Sequence, residues 1–329
     1  MRMEQLDWEV LDRLRETFLS ADRAQGPYWH TVTDLECYDL TYAERIGWKW
    51  DAALRELRRL GWALSSGVTI LDWGCGSGIA GRRVVDYLGA GNVARLLVHD
   101  HSALAMDFAV HRAQQAFPGL ATERAGETFL AGAAAIDVLV LSHVLNELDA
   151  AAQAQLEQLV RRAGAVLWVE PGTHEVSRAL GTWRERLGGG FSIVAPCPHT
   201  GNCGMFAPGN ERHWCHFFAP PPPEIFADSN WVKFGQRAGI DLRSLPYSYL
   251  ALERRARPGF RLGASRVIGE PRIYKGYAKL FSCDTHGIRD LTLQKRDAPD
   301  LFRQLKRGEV HGLQEWSLRD DRITGAGEA

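Results

Sequence analysis

The sequence predicts an α/β protein built on a doubly wound, parallel sheet. Three observations indicate this class: short apolar runs alternate with amphipathic helical segments, the first run ends in a glycine-rich loop, and polar residues directly follow several runs. The chain has 329 residues, 45% of them hydrophobic, and a formal net charge of −1. It is long enough for one large domain with additions, and its overall charge favours neither a nucleic-acid nor a lipid partner.

Residues 1–63 are predicted to form an N-terminal helical region. Apolar residues recur there at helical spacing, at Leu11, Leu14, Phe18, Leu54, Leu57 and Leu60. Between the two halves, Gly26 and Pro27 predict a turn. We expect this region to cap the domain that follows it.

Residues 64–254 are predicted to form the sheet domain. Four apolar runs predict its strands, at 68–71, 94–100, 137–141 and 165–170, and the segments between them predict helices, among them 79–88 and 150–162. Ligands bind such sheets at the carboxyl ends of the strands. The polar residues at these ends are Asp72, Asp100, Ser142, His143 and Glu170.

The loop after the first strand, Asp72–Gly78, reads DWGCGSG. A dinucleotide-binding loop has the pattern Gly-x-Gly-x-x-Gly, and counting from Gly74 places Ile79 where its third glycine would stand. The spacing Asp-x-Gly-x-Gly-x-Gly resembles that of class I methyltransferases instead. This resemblance implies their Rossmann-like fold and S-adenosylmethionine as the cofactor.

The same resemblance implies roles for five residues of the cofactor site. Gly74, Gly76 and Gly78 would line the methionine part of the cofactor. Asp72 would face its ammonium group, and Asp100, at the end of the second strand, would accept hydrogen bonds from the ribose hydroxyls.

Residues 188–223 are predicted to be a cysteine-rich, metal-binding insertion. Four of the six cysteines lie in or after it: Cys197, Cys203, Cys215 and Cys283. Disulfides are the less favoured explanation in a chain without a secretory signal pattern, and the surrounding prolines and glycines disfavour an ordinary core. Four thiolates satisfy either zinc or an iron–sulfur cluster, and His199, His213 and His216 are alternative ligands.

Several longer segments resemble the bacterial members of the Rsm22 family and their mitochondrial relatives, which include methyltransferase-like protein seventeen. The matching segments are Ser142–Leu148, Val169–Thr173, Ala195–His199, Cys203, Trp214–Phe217 and Leu280–Cys283. The resemblance covers about residues 68–296. It implies that the four cysteines hold a [4Fe-4S] cluster, with zinc as the alternative, and that the protein works with the small ribosomal subunit and its rRNA in ribosome assembly and translation.

The last part of the chain is predicted to be a small β extension. Residues 255–310 form its basic β-hairpins and supply Cys283, and residues 311–329 form a tail. Between residues 254 and 279 there are eight basic residues and one acid, Glu270; the basic residues are Arg254, Arg255, Arg257, Arg261, Arg266, Arg272, Lys275 and Lys279. Because Tyr274 and Tyr277 lie among them, this segment is a candidate RNA-binding surface.

Two functions are compatible with the sequence. The first is a methyltransferase acting on or with small-subunit rRNA, and the alternative is a non-catalytic assembly factor that uses its cofactor and cluster structurally. The amino-methyltransferase signature Asn/Asp-Pro-Pro-Tyr/Phe is absent after the fourth strand, where Ser142–Asn146 stands, and no catalytic residue is assigned. With no membrane span or targeting segment evident, a cytoplasmic protein is expected, and it is treated as a monomer.

Overall fold

The computed structural model of the protein describes residues 1–19, 28–260 and 263–327. The turn predicted at Gly26 and Pro27, and the basic residue Arg261, lie outside the described residues. The chain divides into two compact units. The first consists of residues 1–170 and 219–245, and the second of residues 171–218 and 246–329.

The helices are α1 (Trp8–Leu19), α2 (Val32–Leu40), α3 (Tyr42–Arg59), α4 (Ile79–Leu88), α5 (Ala103–Ala116), α6 (Glu127–Ala131), α7 (Ala150–Arg162), α8 (His174–Leu187), α9 (Ser229–Ala238) and α10 (Pro299–Arg307). The strands are β1 (Val68–Trp73), β2 (Val93–His99), β3 (Ala121–Arg124), β4 (Ile136–Ser142), β5 (Ala163–Pro171), β6 (Ser192–Ala195), β7 (Phe217–Phe218), β8 (Pro246–Glu253), β9 (Ala264–Ile273), β10 (Tyr277–Asp284), β11 (Gly287–Gln294), β12 (Leu313–Arg319) and β13 (Arg322–Gly327). Among these helices, none is long and apolar enough to cross a membrane.

The first unit contains the predicted parallel sheet. Its strands lie in the order β3-β2-β1-β4-β5, and every neighbouring pair is parallel. The central strand β1 is buried at all but one position, because helices cover a doubly wound sheet on both faces. The chain leaves β1 first toward β2 and later toward β4, so the carboxyl ends of β1 and β4 flank the switch point where such sheets bind ligands.

In the described part of the N-terminal region, helices α1 and α2 pack on this unit. Leu14 of α1 and Leu35 of α2 form a buried cluster with Trp29 and with Ala105 and Phe108 of α5. Helix α2 begins with a capping box, in which the Thr31 hydroxyl accepts a hydrogen bond from the N–H of Asp34 at 3.3 Å. The region therefore covers one side of the sheet unit through α5.

The second unit contains the cysteine-rich segment and a closed barrel. Strands β6 and β7 each pair antiparallel with β8. The barrel has the order β10-β11-β13-β12-β9, and its core is formed by apolar residues of the strands and of α10. The predicted hairpins correspond to β9, β10 and β11.

The last residues differ from the expected tail, because β12 and β13 complete the barrel. Within β12 only Leu313 and Gln314 are buried, and within β13 only Ile323 is. So few buried positions give no clear alternation in the sequence, and the pairing of these strands with β9 and β11 makes the barrel close.

Candidate functional site

The glycine loop joins β1 to α4 with three residues in the left-handed region, where φ is 74° at Gly74, 50° at Gly76 and 77° at Gly78. A Cβ at Gly74 would lie 2.5 Å from Val144 Cγ1, and one at Gly78 would lie 2.8 Å from Ala109 Cβ. A Cβ at Gly76 would meet no atom within 4 Å. Gly74 and Gly78 thus allow close packing of the loop, whereas the backbone at Gly76 borders open space.

The carboxylate of Asp100 is held beside that open backbone. Its Oδ2 accepts a hydrogen bond from the N–H of Gly76 at 2.9 Å, and its Oδ1 accepts one from the N–H of Ser102, also at 2.9 Å. The residue is 7% exposed. Two backbone donors therefore fix the orientation of Asp100 at the end of β2, with lone pairs of both oxygens still available to a ligand.

Asp72 is completely buried at the end of β1. Its Oδ2 accepts a hydrogen bond from the N–H of Gly81 at 2.9 Å, while Oδ1 has no hydrogen-bond partner among the described residues. Burial raises the pKa of Asp72 to about 7, although the Gly81 N–H and the Arg82 guanidinium act to lower it. In this arrangement Asp72 braces the loop against α4, and its contact with a cofactor ammonium group stays a prediction.

A polar group lies at the end of β4. His143 has φ of 58°, and its Nε2 is 3.3 Å from Nζ of Lys49 on α3. Its Nδ1 is 3.5 Å from the Ser142 hydroxyl, which accepts a hydrogen bond from Trp50 Nε1 at 2.9 Å. Burial lowers the pKa of Lys49 to about 7, and burial together with Lys49 holds the pKa of His143 well below its ordinary value. A neutral imidazole can therefore accept a hydrogen bond from the ammonium group.

Glu170, at the end of β5, fixes the turn that follows His143. Its Oε1 accepts hydrogen bonds from the N–H groups of Val144 and Leu145, at 3.0 and 3.2 Å, and from Trp168 Nε1 at 2.7 Å. Burial raises the pKa of Glu170 to about 7. The sequence placed His143 and Glu170 at this sheet edge, but it gave no sign of Lys49, whose approach depends on how α3 packs.

The four cysteines of the second unit line one cavity. Cys197, Cys203, Cys215 and Cys283 share its walls with Arg184, Arg266, His199 and Met205. Cys203, Cys215 and Cys283 also pack against a small apolar cluster of Met205 and Ile268. The structure therefore brings together three cysteines of one irregular segment and a fourth from β10. Of the three alternative histidine ligands, His199 lines this cavity, with Nε2 3.5 Å from Cys283 Sγ.

The cavity walls disfavour uncompensated thiolates. Burial, followed by the neighbouring thiol groups, raises the pKa of Cys203, Cys215 and Cys283 above the usual thiol value. Arg184 acts to lower the pKa of Cys203 and Cys283, and Arg266 acts to lower that of Cys215. Within the described ranges, no group of three or more His, Cys, Asp or Glu side chains has the placement of a metal-ion site. A metal-binding insertion is therefore not shown.

The basic segment is only partly an exposed surface. Arg266, expected on it, is 3% exposed and donates through Nε to the Pro196 carbonyl at 2.8 Å, because it lies beside the cysteine cavity on the face of β9 opposite to the core residue Val267. Arg255 and Arg257 form ion pairs with the buried Glu253, at 2.9 and 3.4 Å. Among the described basic residues of the segment, Arg272 and Lys275 are exposed at the loop between β9 and β10, and Arg254 and Arg255 are exposed before β9.

The strand order and the glycine loop define the first unit as a Rossmann-like fold of the class I methyltransferase type. A family model described as "Mitochondrial small ribosomal subunit Rsm22" matches residues 68–311. The chain belongs to this Rsm22 family, which confirms the resemblance seen in the sequence. None of the curated proteins compared with the chain matches it.

Three solved structures illustrate the wider similarity. Magnesium protoporphyrin IX methyltransferase (ChlM) from Synechocystis PCC 6803, with bound SAH, is 14% identical, with 77% of this chain and 97% of that chain covered and a TM-score of 0.40. SAM-dependent methyltransferases from Thiobacillus denitrificans and Geobacter sulfurreducens, both in complex with S-adenosyl-L-homocysteine, are 16% and 19% identical. The first match covers 63% of this chain and 91% of the Thiobacillus denitrificans chain, with a TM-score of 0.34. The second covers 63% of this chain and 90% of the Geobacter sulfurreducens chain, with a TM-score of 0.33. Similarities this low carry no information on ligand or substrate.

Proposed function

We propose that this protein binds S-adenosylmethionine at the Gly74–Gly78 loop and transfers methyl groups to RNA of the small ribosomal subunit. The observation that carries the proposal is the open backbone at Gly76 beside the fixed carboxylate of Asp100. Membership of the Rsm22 family supports the link to the small subunit. The cytoplasmic location and the monomeric state expected from the sequence stay predictions.

The loop residues fit the cofactor by shape and polarity. The lack of a side chain at Gly76 leaves room for the methionine part, and the Asp100 carboxylate is positioned to accept hydrogen bonds from ribose hydroxyls. Asp72 supports the loop from beneath through the N–H of Gly81. When bound, the cofactor would supply an electrophilic methyl group.

Lys49 and His143 are suited to act as a general base for the group that accepts the methyl. A general base works best when its pKa is close to the operating pH, and the pKa of Lys49 is about 7. Arg45 lowers the pKa of Lys49 further, and Glu170 acts against that shift. In this proposal the Lys49–His143 pair receives the proton that the acceptor loses, and Glu170 keeps the turn after β4 in place.

In the same proposal Cys197, Cys203, Cys215 and Cys283 hold a [4Fe-4S] cluster. Zinc–sulfur bonds of about 2.3 Å would draw four thiolates to within roughly 4 Å of one another, whereas a cluster keeps its thiolates farther apart. Four cysteines that line one cavity could supply thiolates to either group, and the resemblance to the Rsm22 family favours the cluster. Arg184 and Arg266, both at most 4% exposed, would balance part of its negative charge. The cluster would tie the irregular segment to β10 rather than transfer electrons.

A non-catalytic assembly factor is the second candidate. The absence of the amino-methyltransferase signature after β4 favours it, because Ser142–Asn146 occupies that position. In this case cofactor binding would stabilise the first unit without methyl transfer.

Methyl transfer from labelled S-adenosylmethionine to purified small subunits distinguishes the two. We expect the wild type to label rRNA and Gly76→Arg to lose the label, because the added side chain fills the open space. Gly119→Arg is the matched control, since Gly119 also has a positive φ, 91°, with no atom within 4 Å of a Cβ. Absence of label with the wild type, together with normal subunit maturation, would support the assembly factor.

A further inference from the structure

The barrel of the second unit has a specific topology. If β9 to β13 are numbered as strands one to five, their order around the barrel is one-two-three-five-four. Neighbouring strands in this order are hydrogen-bonded, and strand four pairs with strand one to close the barrel. All pairs are antiparallel except β11 and β13, which are parallel. Helix α10 connects the third and fourth strands, and its Phe302 and Leu305 pack into the barrel core. This is the arrangement of the OB-fold, a five-stranded Greek-key barrel.

OB-folds bind oligonucleotides or oligosaccharides across strands two and three and the neighbouring loops. Because a fold does not define a ligand by itself, the side chains on that face decide. On strand two, β10, Ala278 and Leu280 are buried in the barrel core. Alternation along the strand therefore places Tyr277, Lys279 and Phe281 on its outer face.

Two tyrosines form a stacking platform at the edge of this face. Tyr274 lies in the loop between β9 and β10 and is 45% exposed. Its ring is stacked on that of Tyr277, with centroids 4.6 Å apart and an interplanar angle of 14°. The N–H of Tyr274 donates to the Tyr277 carbonyl at 2.9 Å, so the turn itself holds the rings parallel. An exposed ring held in this way offers a flat apolar surface to a base.

The charge around the platform favours a polyanion over an uncharged oligosaccharide. Residues 272–296 contain six basic and two acidic side chains, a net charge of +4. Lys275 lies in the loop beside Tyr274, and the N–H of Lys295 donates to the Gly276 carbonyl at 3.0 Å, which brings the end of β11 to the same loop. One acid of the face, Asp290, forms ion pairs with Arg272 and Lys279.

We propose that the β9–β13 barrel binds single-stranded RNA, with Tyr274 and Tyr277 stacking on bases and with Lys275 and Lys295 contacting phosphates. The inference rests on the proposed function for the choice of RNA and deepens it by naming unpaired RNA as the partner. A duplex is disfavoured because its base faces are already stacked and cannot reach the tyrosines. Cys283 lies on the same face of β10 two positions beyond Phe281, so the cysteine cavity and the RNA face share one strand.

Fluorescence anisotropy on the full chain tests the inference with a labelled RNA of about twelve nucleotides, within the usual range for one OB-fold. We expect the single strand to bind at least about tenfold more tightly than the same sequence in a duplex. Replacing both rings, Tyr274→Ala with Tyr277→Ala, should weaken single-strand binding by about tenfold or more, and Tyr274→Phe with Tyr277→Phe should restore it.

The lysines have a separate readout. Lys275→Ala and Lys295→Ala should each reduce the slope of log Kd against log salt concentration, by about the amount that one phosphate contact contributes. Lys306→Ala, an exposed lysine of α10, is the matched control and should leave both affinity and salt dependence unchanged. Equal binding of duplex and single strand, or unchanged affinity in the double alanine variant, would overturn the inference.

Cofactor binding, measured by calorimetry with S-adenosylhomocysteine on the same proteins, separates this inference from the proposed function. A loss of RNA binding in the tyrosine variant with unchanged cofactor affinity supports the barrel as the RNA site. A wild type that binds cofactor but not single-stranded RNA contradicts the inference alone. A wild type that binds single-stranded RNA but not cofactor contradicts the proposed function alone.

Discussion

Gly74 and Val144 are packed so closely that a Cβ on the glycine would lie 2.5 Å from Cγ1 of the valine. The glycine belongs to the loop after β1, and the valine belongs to the turn after β4, whose N–H groups bind Glu170. The proposed cofactor side and acceptor side of the first unit are therefore in direct contact. Movement of either segment must displace the other, so substitutions in the loop should affect both.

Gly74→Ala should destabilise the protein more than Gly76→Ala does. At Gly74 the new methyl group meets Val144 and the backbone has φ of 74°, so overpacking of about 1–3 kcal/mol adds to a left-handed strain of about 1–2 kcal/mol. At Gly76 only the strain applies, because the space there is open. Thermal or denaturant unfolding of both variants measures the difference, and equal free energies of unfolding would contradict the packing described for Gly74.

Asp100→Asn should weaken cofactor binding. The amide cannot accept hydrogen bonds from both Gly76 and Ser102, so the loop loses a charge-assisted bond and the ribose loses an acceptor. We expect an affinity for S-adenosylhomocysteine that is about 10- to 100-fold lower in calorimetry. Asp107→Asn, an exposed carboxylate on α5 that pairs with Arg124, is the control and should bind as the wild type does. Unchanged affinity in Asp100→Asn would remove Asp100 from the proposed site.

The sequence predicted the parts of the fold that depend on local pattern. The structure contains the strand predicted at 68–71, the helix predicted at 79–88 and the three loop glycines with positive φ. These features depend on residues that are close together in the sequence, so apolar periodicity and glycine spacing are enough to predict them. Cys283 also joins the cysteines of the insertion, which are far away in the chain. The resemblance to the family predicted this convergence, since spacing alone could not.

The remaining features depend on packing between distant segments. Lys49 reaches His143 across 94 positions, and nothing in the surroundings of either residue in the sequence indicates the contact. The basic composition around Arg266 suggested exposure, yet the cysteine-rich segment covers this face of β9 and buries the residue. Composition averages over a segment and does not show which strand face a distant part of the chain covers: residues 264–268 of β9 are buried on both faces.

Lys49→Met should change how stability depends on pH. The pKa of Lys49 is about 7 in the folded protein and near its ordinary value of 10.5 when unfolded, so the unfolded chain binds more protons between these values. The lysine's contribution to the free energy of unfolding therefore rises as pH increases from about 7 to about 10.5. The methionine variant should lose that rise and be more stable than the wild type near pH 7. Denaturant unfolding across this window measures both effects.

The same titration has an internal comparison and a control. The pKa of Glu170 shifts in the opposite sense, from 4.5 to about 7 on folding. The contribution of Glu170 to the free energy of unfolding therefore falls as pH rises between those values, and this fall should persist in Lys49→Met. Lys306→Met, at an exposed position of α10, should follow the wild-type curve. Parallel curves for Lys49→Met and the wild type above pH of about 7 would show that Lys49 keeps its ordinary pKa.

Cys283→Ser should abolish a cluster that Cys37→Ser leaves intact. Cys283 is the ligand contributed by β10, and its loss removes one of four thiolates from the cavity, whereas Cys37 lies buried in α2 of the first unit. Protein purified without oxygen should show the broad visible absorption of iron–sulfide charge transfer and contain iron and acid-labile sulfide in equal amounts. Both should be lost in Cys283→Ser and kept in Cys37→Ser. Zinc in place of iron, with no visible absorption, would assign the cavity to a tetrahedral zinc site.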